Sequence, residues 1–411
     1  MSILRNSDDF KLVANQISIY MEDRQNDLLK FCSELTECDS INPPGCTIKT
    51  SKVIQKFFEE REITSQLLGS DAQKPNVIAE VSSDNLGKHL ILNGHMDTVS
   101  PGNEADWSVP ILKSSLQDGK LMGLGVGNMK AGTAAMALAF SWLYTNVGMW
   151  SGKVSYTAVA DETVFGDFGA AWLLSEHTRF KGDAVICGEG AGEMNIALAE
   201  KGLLWIEIKT KAKSGQGMLA NTGTSAITKL CQIVSSIDKW NQIFANLPEN
   251  LAYISGGKNN EGLRLSVNVG EVSGGHFISQ IATDASAKID IRIPPGLTIQ
   301  EICAWLDEIC ANATDTSWRM IKGWNPSWTG KETEIATAIK TAAQEVLSEN
   351  KCPVVRLPAS DASRWRALGV PAVCIGPQPN LVSGVDDFAW VKDVTNSAKI
   401  YALSSWIYLN T

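Results

Sequence analysis

Between Asp8 and Leu35 the apolar residues Val13, Ile17, Tyr20, Leu28, Phe31 and Leu35 recur at helical spacing, which predicts one helix over that stretch. Asn42-Pro43-Pro44-Gly45 interrupts it, and Lys52–Arg61 reads as a second helix. Asn76–Val81 (NVIAEV) and His89–Asn93 (HLILN) are strand-like, and turn-prone Ser82–Gly87 separates them. A glycine-rich turn at Gly123, Gly125 and Gly127 precedes a predicted helix over Gly132–Asn146. Strand Val154–Val159, helix Gly169–His177 and strand Ala184–Cys187 follow. Strands alternating with helices predict a largely parallel α/β sheet.

The pattern changes near Glu200. Leu203–Lys209 and Ala285–Ile293 alternate apolar and polar positions, and Leu263–Val269 is strand-like. Helices are predicted over Thr224–Ile243 and Ile299–Ala311. Alternating strands with few helices predict a small α+β sandwich with one solvated sheet face. From Glu332 the first pattern resumes, with helix Glu332–Glu349, strand Val370–Ile375 and helix Val394–Leu409. The expected layout is one α/β domain, residues 1–199 and 320–411, interrupted by an α+β domain over 200–319. Trp324, Pro326 and Trp328 lie where the chain re-enters the first domain.

Composition narrows the function classes. A chain of 411 residues accommodates two or three domains of about 150 residues each. With 44% hydrophobic and 20% charged residues it is globular, and a formal charge of −9 argues against nonspecific nucleic-acid binding. Nine cysteines, without a CxxC pair, predict neither a zinc ribbon nor a dithiol redox motif. The N-terminus lacks the cationic and apolar regions of a signal peptide, and the longest apolar stretch, Ala134–Tyr144, is too short to span a bilayer. A cytoplasmic protein with no membrane partner is expected. Only four histidines are present, His89, His95, His177 and His276, so a histidine-rich metal site is excluded unless they converge.

Four segments can carry chemistry. In Leu90–Pro101 (LILNGHMDTVSP) a strand runs into Gly94. His95 and Asp97 then stand two residues apart, facing one side, so the Asp97 carboxylate is expected to accept an imidazole N–H. Met122–Gly132 (MGLGVGNMKAG) permits a tight turn before a helix; its glycine spacing is not that of a dinucleotide loop. Val159–Gly169 places Asp161 and Glu162 at a strand end, and Asp183–Gly190 ends a strand in Glu189. Ligand sites in open α/β sheets lie outside the carboxyl ends of the strands, so these carboxylates are informative together.

In this order the segments resemble the metallopeptidase family of aminoacylase, acetylornithine deacetylase, succinyl-diaminopimelate desuccinylase and carboxypeptidase G. The resemblance extends over nearly the whole chain. It includes Ser40–Gly45, Asn93–Val99, Asp118-Gly119-Lys120, Met129–Gly132, Ile289–Arg292, Ser360–Ser363 and Ile375-Gly376-Pro377. It implies a zinc-binding α/β catalytic domain with an inserted α+β lid or dimerisation domain, and hence a homodimer. The family's HxD motif matches His95, a zinc ligand, and Asp97, which orients it. The carboxylate that bridges two metals in the family is Asn128 here. The Glu-Glu pair, general base then ligand, is Glu162 followed by Thr163. Glu189 matches the carboxylate that shares a metal with the HxD histidine. Aligning Asp387 with a family acid puts Ser383 where the last histidine ligand stands, and Gln216 falls near the lid histidine that supports the oxyanion. Arg292 matches the substrate-carboxylate arginine, and Arg364 is a further candidate for the same role.

These departures imply a degraded dinuclear site. The private ligands of one metal are lost at Thr163 and Ser383, whereas His95 and Glu189 remain for the other. An asparagine bridge lacks the charge that two dications about 3.5 Å apart require. The expectation is no metal or one zinc, held by His95, Glu189 and Asn128. The leading reading is a repurposed amidohydrolase or deacylase acting on a small N-acyl amino acid or peptide-like substrate. Glu162 supplies acid–base chemistry, Gln216 an amide donor, and Asn128, Ser383, Arg292 and Arg364 bind substrate; the reaction is hydrolysis, cyclisation or acyl transfer in a biosynthetic pathway. The alternatives are a noncatalytic pseudoenzyme that binds a ligand or protein, and a zinc hydrolase whose ligands have moved, for which His276 is the candidate.

Overall fold

Residues 8–379 and 384–411 are described by the structure, a computed structural model. The chain opens with α1 (Asp8–Asp23) and α2 (Gln25–Thr36), two helices where apolar spacing predicts one. The break falls at Arg24, whose guanidinium lies 3.9 Å from the centre of the Tyr20 ring. The spacing continues across the break because each helix keeps its own apolar face: Phe10, Val13, Ile17 and Met21, then Leu28, Phe31 and Leu35.

Next come α3 (Ile48–Glu59), β1 (Ser65–Leu68), β2 (Asn76–Ser82), β3 (His89–His95), β4 (Ser115–Gln117) and β5 (Lys120–Met122). They are followed by α4 (Ala131–Thr145), β6 (Lys153–Val159), α5 (Ala170–Glu176), β7 (Ala184–Cys187) and β8 (Ile196–Glu200). The intervening segment supplies β9 (Gly202–Lys211), α6 (Ala226–Asp238), β10 (Ser266–Gly274), β11 (Asp284–Ile293), α7 (Ile299–Ala311) and β12 (Thr316–Trp324). The chain ends with β13 (Ser327–Trp328), α8 (Glu334–Leu347), β14 (Pro353–Arg356), α9 (Ala362–Ala367), β15 (Ala372–Cys374), β16 (Phe388–Trp390) and α10 (Val391–Leu409).

Two compact units result. The first takes the chain up to Leu198, then Trp328–Val354 and Ser360 onward; the second is Ala199–Ser327 with Val355–Ala359. In the first unit the main sheet runs β1-β2-β6-β3-β7-β15-β8. Strands β6, β3, β7 and β15 are mutually parallel, and β1, β2 and β8 join antiparallel. Parallel strands with both faces covered are apolar throughout, and β3, β6 and β7 are buried along almost their whole length. Helix α4, apolar on every side, packs between this sheet and α10. No helix among the described residues is long and apolar enough to cross a membrane. A small sheet, β16-β5-β4, flanks the glycine turn.

The second unit is a four-stranded antiparallel sheet, β10-β11-β9-β12, with α6 packed on it. Its core takes Leu204, Ile206 and Ile208 from β9 and Ala287, Ile289 and Ile291 from β11, the inward half of each alternation. Because β12 pairs with β9, Thr316–Trp324 lies in this unit. Helix α6 ends at Asp238, where a 3₁₀ turn over Lys239–Gln242 takes up the rest of the predicted stretch.

Candidate functional site

Three adjacent parallel strands of the first unit, β6, β3 and β7, end at one edge, and their last turns carry Glu162, His95 and Glu189. Gly94 lets β3 approach α4, since a Cβ there would lie 2.7 Å from Thr133 Oγ1. Thr133 in turn donates to the His95 carbonyl at 2.9 Å, and the His95 N–H meets Met129 Sδ at 3.3 Å. The histidine backbone is thus clamped, and its side chain is buried.

The imidazole departs from the sequence expectation. Its Nδ1 lies 2.8 Å from the Asp97 main-chain carbonyl, with the Asp97 carboxylate at 3.7 Å. A carbonyl only accepts, so Nδ1 carries a proton and Nε2 is the ring nitrogen turned to the centre of the site. The Asp97 carboxylate, fully buried, is engaged elsewhere. It accepts from Asn42 Nδ2 at 2.8 Å, the Glu162 N–H at 3.1 Å, the Thr163 N–H at 3.0 Å and the Thr163 hydroxyl at 2.7 Å. Asp97 therefore organises the loop after β6, and Thr163 turns its hydroxyl onto that carboxylate.

The same loop is tied down by Asp161, which adopts a left-handed backbone (φ 62°). Its carboxylate meets Lys74 Nζ at 2.5 Å and accepts from Asn42 Nδ2 at 3.1 Å. On the other side of the site, Asn128 sits on the glycine turn. Buried Asp387 holds that turn by accepting from the Gly127 N–H at 3.1 Å. Burial pushes the Asp387 acid up to about 7, although backbone N–H groups of the turn oppose the shift. Asp361 follows the same rule: burial raises it to about 6 against the nearby Arg364, and Asn93 Nδ2 donates to it at 3.3 Å. Lys130 is fully buried, donates to the Cys38 carbonyl at 2.8 Å and is drawn down to about 8 by burial.

At the centre, His95 Nε2 faces Asn128 Oδ1 at 3.4 Å, Glu162 Oε2 at 3.6 Å and Glu189 Oε1 at 3.8 Å. Ligand atoms of His95, Glu162 and Glu189 all lie within 4.8 Å of one another. Two ligand atoms bound tetrahedrally to one zinc at about 2.1 Å stand about 3.4 Å apart. One imidazole nitrogen and two carboxylates at this spacing are a donor set that fits one divalent cation. Glu189 Oε2 also accepts from the Cys187 thiol at 3.8 Å. Burial and the neighbouring Glu189 carboxylate push that thiol well above its ordinary range, so it stays S–H.

The remaining candidates lie as follows. The Arg364 guanidinium donates to the Gly166 carbonyl at 2.8 Å and lies 3.4 Å from Asp361. Arg292, in the second unit, grips Asp290 at 2.8–3.1 Å, and Gln216 of that unit forms a β-bridge with Gln280. Ser383 is outside the described residues. His89 starts β3 and contacts Ser155 Oγ at 2.7 Å, while His177 packs against Trp172 and Phe180, so neither joins His95. His276, in the second unit, is exposed and 3.6 Å from Asp284. Sequence reasoning missed Asn42, Lys74 and Cys187, and it used Asp387 only as a spacing mark. Asn42 was legible as part of the Asn-Pro-Pro-Gly break, but a chain break carries no signal that its amide reaches Asp97.

Comparisons with known proteins place the chain in a family and a fold. The model of Peptidase family M20/M25/M40 matches residues 91–405. A probable succinyl-diaminopimelate desuccinylase of Staphylococcus epidermidis is 26% identical over 251 residues, 61% of this chain; the match spans 55% of that relative's length, about half. A succinyl-diaminopimelate desuccinylase of Bradyrhizobium sp. is 24% identical over 397 residues, 91% of this chain and 97% of the relative. Human carnosine dipeptidase 1 superposes with a TM-score of 0.75 at 14% identity, covering 97% of this chain and 99% of that one. A dinuclear metal binding peptidase from Bacillus subtilis gives a TM-score of 0.66 at 14% identity, with 94% and 99% covered. With a family match over most of its length and a fold shared with solved members, the chain belongs to the peptidase family M20/M25/M40.

Proposed function

We propose that the protein is a hydrolase of amide bonds in small N-acyl amino acids or peptide-like molecules, working at a site that holds a single divalent cation. The observation that carries this reading is the convergence of three oxygens, from Asn128, Glu162 and Glu189, on the buried imidazole nitrogen His95 Nε2. Such a cluster of acceptors calls for positive charge. His95 and Glu189 would hold the cation, with Asn128 as a neutral third donor. Bound there, the cation would polarise the amide carbonyl and acidify a water. A second cation lacks support: the hydroxyl of Thr163 is turned onto Asp97, and Asn128 brings no charge to a bridge.

Within this arrangement Glu162 is the proton carrier. Its backbone is fixed by the Asp97 carboxylate and its Oε2 lies at the centre of the cluster, placed to take a proton from water and return it to the leaving amine. His95 stays in one tautomer because its Nδ1 proton is held by the Asp97 carbonyl. Roles for Arg292 in binding a substrate carboxylate and for Gln216 as an amide donor rest on the family resemblance.

Metal analysis of the purified protein after equilibration with zinc, paired with assays on a panel of N-acyl amino acids and dipeptides, tests the proposal. About one equivalent of zinc and measurable amide cleavage are expected. Glu162→Gln should lower kcat by about 10²–10⁴-fold while the protein stays folded. Two equivalents would overturn the single-cation reading. Absence of cleavage across the whole panel would overturn the hydrolase reading in favour of a binding protein.

A further inference from the structure

Glu189 divides its two oxygens between different surroundings: Oε1 faces His95 Nε2 at 3.8 Å, and Oε2 accepts the Cys187 S–H at 3.8 Å. Cys187 is the last residue of β7 and Glu189 lies two positions on, so both project to the same side of the strand end. Behind Cys187 is a second thiol. Cys374 of β15 is its direct partner across the parallel ladder. Cys374 Sγ lies 3.4 Å from Ser360 Oγ, and that hydroxyl accepts the Ala362 N–H at 3.2 Å. A buried row of small polar groups therefore runs from the start of α9 beneath the sheet edge to the second oxygen of Glu189.

We propose that the Cys187 thiol is a positioning residue, which holds Glu189 so that one carboxylate oxygen, Oε1, is presented to the cation site. The inference rests on the single-cation reading above. The physical reason is reach. A hydroxyl in place of the thiol lies closer to its own Cβ, and an O–H···O bond needs about 2.5–3.0 Å, so serine at 187 cannot span the gap that sulfur spans at 3.8 Å. Without the donor, Oε2 loses that hold and the last torsion, which is broad for glutamate, is less restrained, so the preorganisation of Oε1 weakens. Groups that orient metal ligands from behind change cation affinity by about 10–100-fold when removed.

Two measurements test this. Zinc titration by calorimetry should show C187A and C187S binding about tenfold or more weakly than the parent. C374A, which opens a similar gap in the same pair of strands but keeps the thiol on Glu189, should bind close to the parent. Equal affinity in all four proteins overturns the proposal, as does a loss in C374A as large as that in C187A. The S–H stretching band of Cys187, identified in the infrared by subtracting the C187S spectrum, needs no metal. It should shift in E189Q, where the acceptor is no longer a carboxylate; an unshifted band overturns the proposal even where C187A fails to fold. If the parent binds no zinc and the band still shifts, the cation reading has failed and the thiol–carboxylate contact stands.

Discussion

Gly166 shows how tightly single residues are specified around the site. A Cβ there would lie 1.7 Å from Asp161 Oδ2, the carboxylate that Lys74 and Asn42 grip. Gly166→Ala must push Asp161 off its partners, and we expect a loss of about 1–3 kcal/mol in urea unfolding, with weaker zinc binding because the Glu162 loop moves with Asp161. Asp387 makes a pH prediction. Burial raises its acid from 3.8 to about 7, so the folded protein binds a proton that the unfolded chain has released. The stability from this group is full below about pH 4 and is lost as pH rises through 7, a fall on the order of 2–4 kcal/mol. Asp387→Asn should flatten the slope of unfolding free energy between pH 4.5 and 7.5; an unchanged slope would refute the assignment. Of the site, His95, Glu162 and Glu189 were legible in the sequence because each ends a recognisable strand, and Asn128 through the family resemblance alone. Asn42 and Lys74 were not, because loop residues carry no periodicity that says which carboxylate they meet.

At the scale of elements, close approach of helix to strand places the ligands. Helix α4 lies on the sheet with Gly132 against the Gly188 carbonyl, where a Cβ would be 2.4 Å from that oxygen. Gly188 precedes Glu189, so Gly132→Ala should displace the carboxylate. We expect a drop in melting temperature equivalent to about 1–3 kcal/mol together with weaker zinc affinity, read by calorimetry. The pattern of apolar positions located α4, β3, β6 and β7 to within a residue or two because burial on one or both faces writes a period into the sequence. The same signal missed the break at Arg24, where both helices keep their apolar faces, and it ran α6 on into the 3₁₀ turn at Lys239. It also left β12 unassigned, since that sheet-edge strand is mostly solvated and its buried period is weak.

Across the whole molecule, two hydrophobic cores are built separately, one around the mixed sheet and one between β9, β11, α6 and α7. All the residues converging on His95 belong to the first unit. Zinc at about 100 times its Kd should therefore stabilise that unit by about 2.7 kcal/mol. Scanning calorimetry would show this as an upward shift of the first unit's unfolding, and an unshifted trace would count against a cation site there. The sequence by itself determined the alternation of helices and strands, the insertion of a second unit and the carboxylates at strand ends, because burial and turn chemistry act on neighbours in the chain. Only the tertiary structure decided that the Asp97 carbonyl rather than its carboxylate orients His95, that Thr163 turns away onto Asp97, and that a thiol backs Glu189. The Thr163 contact joins residues 66 apart in the chain; the other two join residues two apart, but which of their atoms meet is set by how the strand ends and α4 pack rather than by any local pattern.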